Sequence, residues 1–162
     1  MEFLEKISRI LNRTFLLIAG VFMAAMILLT CANIFLRIVW VPIKGTFELM
    51  GFFGAVATAF VLGYTQLKKA HISVDILVNG FSQRIRTVFN GINYVVCMTF
   101  FTVLGWQICR LANTLRQTGE VTETLRIVYY PFTYGVGLGC FLLALVLLVD
   151  FLKLFINHNE AS

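Results

Sequence analysis

Nineteen consecutive residues, Leu49 to Leu67, carry no formal charge. At ~1.5 Å of helical rise per residue, a run of that length crosses a ~30 Å hydrocarbon core. Three more uncharged runs of similar or greater length occur, Thr14–Leu36, Thr87–Cys109 and Pro131–Val149, joined by short connections. The sequence therefore predicts an all-α integral membrane protein: four transmembrane helices in a single domain over residues 1–162, with no linker or internal repeat to divide it. Composition agrees. The chain is 59% hydrophobic and 13% charged, with a mean hydropathy of +0.87, too apolar for a soluble domain of its length. Its formal charge of +5 does not point to nucleic acid, because the basic residues sit at the ends of the apolar runs, where membrane topology places them.

Two polar-flanked segments carry a helical stripe. In residues 1–13, Phe3, Leu4, Ile7, Ile10 and Leu11 share one face, which predicts a leader lying on the membrane surface before the chain turns inward. From Val74, the residues Leu77, Val78, Phe81, Ile85, Val88 and Phe89 cluster opposite Asp75, Asn79, Gln83 and Arg86, which predicts an amphipathic interfacial helix over residues 74–86 of the second loop. Gly80 and Ser82 mark its end, with Ser82 as cap of the third span. The outer loop, Arg110 to Tyr130, turns at Thr118, Gly119 and Glu120, and Pro131 suits the first turn of the fourth span. Counting Lys and Arg gives three in the leader, four in the second loop and one in the tail, eight in all. The other side has two in the first loop and three in the third, five in all. That bias orients both termini to the cytoplasm.

Reactive chemistry is sparse. There is no GxSxG, HExxH, P-loop or GxGxxG pattern and no pair of carboxylates at a plausible site. The two histidines, His71 and His158, lie outside the spans, which argues against haem ligation within the membrane. The four cysteines, Cys31, Cys97, Cys109 and Cys140, lie in or beside apolar runs as small packing residues, with no metal-ligand spacing. The reading is of a protein that is not an enzyme, with no cofactor and no metal. Acids sit at span edges: Glu48 opens the second span and Asp150 closes the fourth, close to Lys153. Arg37 either meets Glu48 across the first outer loop or snorkels independently. In the second span Gly51, Ala55, Ala59 and Gly63 recur every four residues, giving one small-residue face for close helix approach, toward either a partner or this subunit's own helices. Lys68, Lys69, His71 and Asp75 follow, with His71 and Asp75 at i, i+4 spacing on one helical face.

These segments carry a resemblance. NIFLR at Asn33–Arg37, GTFEL at Gly45–Leu49, the Gly/Ala-rich second span, KKAHISVDIL at Lys68–Leu77 and the Pro-initiated fourth span together resemble the small membrane subunit of TRAP transporters, the tripartite ATP-independent periplasmic family (DctQ-like). The basic–x–His–x–x–Val–Asp segment is the most specific of them. The resemblance implies a bacterial inner-membrane protein that works with a large multi-span permease and a periplasmic solute-binding protein. Such a system imports organic acids, sialic acid or C4-dicarboxylates among them, on a sodium gradient. It also implies a scaffold role, with substrate and sodium held by the large subunit. Membrane lipids are the remaining partner. Two other functions fit four spans: a self-sufficient small-molecule transporter acting as a homodimer, and the membrane anchor of an enzyme complex.

Overall fold

The computed structural model describes residues 2–68 and 83–160, and the side chains of 6–68 and 89–153. Four helices account for nearly all of them: α1 (Glu2–Val39), α2 (Thr46–Leu67), α3 (Gln83–Thr118) and α4 (Tyr130–Glu160). Each contains a stretch long and apolar enough to span a membrane.

Helix α1 corrects the expectation for the leader. Residues 2–13 do not form a separate surface segment; they run unbroken into the first span as a helix of 38 residues, about 57 Å long at 1.5 Å per residue. The part of its apolar face whose side chains are described points away from the core. Ile7, Ile10 and Leu11 are exposed, whereas Ser8 and Asn12 are buried. Helix α3 likewise continues past Cys109 to Thr118, so the outer loop begins two turns later than the charge pattern suggests. Arg110 and Arg116 favour leaving the hydrocarbon but do nothing to stop helical hydrogen bonding. The stop is Gly119 at φ +68°, whose N–H donates to the Leu115 carbonyl (3.1 Å) in the left-handed cap that glycine adopts readily.

The order of the helices across the molecule is α1–α2–α4–α3, an open layer in which α2 and α4 are central and α1 and α3 form the edges. The glycines of α4 explain that order. A β-carbon at Gly139 would meet the Ala59 carbonyl oxygen at 2.6 Å, and one at Gly135 would touch Val56 at 3.4 Å. These two glycines, four residues apart, present one face of α4 to α2. Gly137, about 200° further round at 100° per residue, faces α3, where its β-carbon would meet Cys109 Sγ at 2.7 Å. Gly105 of α3 packs in turn on Cys140 and the Phe141 ring. Because apolar side chains gain little by leaving lipid for another apolar surface, close backbone approach at such glycines is what holds membrane helices together.

Aromatic contacts complete the α1–α2–α4 packing. Phe15 of α1 meets Phe60 edge-on with centroids 4.5 Å apart, and Phe52 of α2 stacks on Phe132 of α4 at 4.3 Å. Ala19, Val56, Ala59 and Phe60 form the buried centre. Leu142, Leu143, Val146, Leu147 and Val149 bury the second half of α4. The edge helices stay open: Leu17, Val21, Leu28 and Ile38 on α1, and Ile92, Val96, Phe100 and Trp106 on α3, are all exposed.

Candidate functional site

Three features at defined places in the layer carry the polar and small residues: the α2 face, an anchor at the loop end, and a cavity at the end that holds both termini.

The α2 face divides along its length. Ala59 and Gly63 are buried against neighbours within the chain, Ala59 under Gly139, and Gly63 against Asn12 Oδ1 and Leu142. Gly51 and Ala55 are exposed, and a β-carbon at Gly51 would meet nothing within 4 Å. The reason is geometric. A four-residue step advances 400° at 100° per residue, so three steps rotate the face by about 120° between Gly51 and Gly63. One face read from the sequence is thus two surfaces in the fold. The glycines of α4 supply the other half of the α2 seam. Their signal is the alternation Gly135–Gly137–Gly139, which puts small residues on two opposite faces of one helix.

At the loop end, Glu48 does not pair with Arg37. Its Oε1 accepts the Thr124 N–H (2.8 Å) and its Oε2 the Leu125 N–H (3.0 Å), so the carboxylate fastens the α3–α4 loop to the start of α2. Arg37 is exposed in the last turn of α1. The loop is shaped to present those two N–H groups. The Thr122 N–H donates to the Ile127 carbonyl (2.9 Å), the Ile127 N–H donates to Thr122 Oγ1 (3.1 Å), and Val121 and Val128 form an antiparallel bridge. Gly45, in the left-handed region at φ +75°, lets the chain pass beneath Leu125, whose side chain fills the space any β-carbon would take. Asn33 Oδ1 accepts the Ile43 N–H (2.8 Å), tying the α1–α2 loop into the same assembly. No sequence spacing announces the Glu48 contact, because its partners are backbone groups 76 and 77 residues away.

At the other end, a cavity of about 760 Å³ opens between the helices, lined by Arg9, Arg13, Lys68 and Lys153 with Asp150, Tyr64 and Tyr94, and floored by Leu16, Leu17 and Leu67. Lys68 Nζ lies 5.8 Å from the centre of the Tyr64 ring, within cation–π range. Asp150 Oδ2 accepts from Gln66 Nε2 (3.2 Å), a bond between α2 and α4 that the short Asp150–Lys153 spacing did not suggest. Lys68 thus belongs to this cavity, while His71 and Asp75 lie outside the described residues, as does most of the interfacial segment 74–86. Among the described residues no group of three or more His, Cys, Asp or Glu gathers to hold a metal.

Four apolar spans, backbone-close seams and charged groups confined to the span ends define the chain as an all-α membrane protein built for packing. Its sequence matches the family model of tripartite ATP-independent periplasmic transporters, DctQ component, over residues 26–157. The chain belongs to that family, as a small permease component of a TRAP transporter. No individually curated protein matches it.

Proposed function

We propose that this chain is the static, non-transporting subunit of its transporter, binding a large permease that moves organic acids such as sialic acid or C4-dicarboxylates on a sodium gradient after delivery by a periplasmic binding protein. Both termini face the cytoplasm of a bacterial inner membrane, in keeping with the eight-to-five distribution of Lys and Arg. The observation that carries the reading is the open outer half of α2. Gly51 and Ala55 have room for another helix's backbone, while Ala59 and Gly63 on the same helix are already covered. The α2–α4 seam and the Glu48 anchor hold that surface in place, as a scaffold for a moving transport domain must.

Copurification of the large permease with Gly51→Leu tests the surface, beside Gly20→Leu, the same change in open space on α1. The expected result is loss of the permease with the first variant and normal recovery with the second. Equal recovery overturns the docking surface. Sodium-driven solute uptake by vesicles that hold this chain alone overturns the scaffold role.

A further inference from the structure

We propose that the cavity at the end holding both termini is a binding site for an anionic phospholipid, with the lipid phosphate held by Arg9, Arg13 and Lys68 and the acyl chains descending along Leu16 and Leu17. The assignment needs only that the helices cross a bilayer and does not depend on the transporter reading.

The chemistry along α1 runs in the order of a phospholipid. Arg9, Arg13, Leu16 and Leu17 fall at i, i+4, i+7 and i+8, so they stand on one face of the helix. All four line the cavity. The two guanidinium groups come first and the two leucines lie one to two turns deeper into the membrane, the sequence in which a phospholipid presents its headgroup and then its tails. Helix α2 runs antiparallel and repeats the order from the opposite wall: Lys68 at its end, Leu67 and Tyr64 deeper in.

Charge and size fit the same ligand. Four cations and one carboxylate line the cavity, and that carboxylate already accepts from Gln66. Guanidinium forks match phosphate oxygens with paired N–H donors, and basic recesses between spans at the membrane surface are suited to acidic headgroups. A volume of about 760 Å³ exceeds what a bare phosphate needs and lies in the range of sites that enclose a larger ligand. A free anion would use the cations and leave the leucine floor bare, whereas a lipid uses both.

The experiment uses the full chain in nanodiscs made from an equimolar mixture of phosphatidylglycerol and phosphatidylcholine, extracted in mild detergent, with the retained lipid identified by native mass spectrometry. Wild type is expected to keep phosphatidylglycerol in preference to phosphatidylcholine. Arg9→Gln/Arg13→Gln should reduce that retention about 25-fold, taking roughly fivefold for each cation removed near the surface. Arg9→Lys/Arg13→Lys should keep most of the preference, and Lys44→Gln at the opposite end should change nothing. Inorganic phosphate in excess should fail to displace the lipid. Equal retention of the two lipids, or unchanged retention by the Gln double variant, overturns the site. Complete displacement by inorganic phosphate makes it a free-anion site and overturns the lipid assignment. Loss of the lipid preference whenever the large permease is bound assigns the cavity to an acidic segment of that partner and overturns it equally.

Discussion

Replacing Gly139 by alanine should separate the two central helices. The added β-carbon would lie 2.6 Å from the Ala59 carbonyl oxygen and 2.7 Å from both its carbonyl carbon and its β-carbon. Ordinary contact distance is about 3.5 Å, so the α2 and α4 backbones must part locally by about 0.8 Å. No rotamer change relieves this, because the atoms in the way are backbone and a methyl group. Overpacking of this kind costs ~1–3 kcal/mol. A gap of that width also forfeits a quarter to a half of the dispersion attraction of neighbouring contacts along the seam. Alanine is the better helix former by ~1 kcal/mol, which partly masks the loss. Gly51→Ala supplies the correction, since it makes the same change on α2 with nothing within 4 Å of the new methyl. Thermal unfolding of both variants in one detergent should place Gly139→Ala ~1–3 kcal/mol below Gly51→Ala. Gly135→Ala, with its nearest atom at 3.4 Å, should fall between them. If Gly139→Ala is as stable as Gly51→Ala, the close α2–α4 approach does not hold the layer together.

Glu48→Gln should loosen the outer loop, since an amide cannot accept both the Thr124 and Leu125 N–H groups with charged oxygens; hydrogen exchange should quicken at those two amides and stay unchanged in α4. Gly45→Ala should destabilise more than Gly119→Ala. Both positions have positive φ, with a strain of ~1–2 kcal/mol for alanine, but only Gly45 is also covered by Leu125, and thermal melts should rank them so. Gly63→Ala would drive a methyl against Asn12 Oδ1, a buried oxygen with no hydrogen-bond partner. Adding Asn12→Ala should restore part of the lost stability, and a double-mutant cycle should give a favourable coupling of ~0.5–3 kcal/mol; additive losses would show that the two residues do not oppose each other.

By itself the sequence determined how many times the chain crosses the membrane and where. Uncharged runs of about twenty residues have few alternatives in a bilayer, and the cost of burying a charge confines Lys, Arg, Asp and Glu to the ends. It also placed Pro131 in the first turn of α4 and the turn at Gly119, because those residues act on their own backbone. Helix ends were harder to read than span ends: the hydrocarbon limits the apolar run, whereas local hydrogen bonding carries α1 back to Glu2 and α3 on to Thr118. The tertiary structure alone decided which side of α2 is covered, since a four-residue repeat of small residues drifts round the helix and its two halves meet different surroundings. It alone gave Glu48 the backbone of a distant loop in place of Arg37, and gathered Arg9 and Arg13 of α1, Lys68 at the cap of α2 and Lys153 of α4 round one cavity. Such contacts join residues far apart in the chain, and helical periodicity reports only which residues share a face, not what lies across from it.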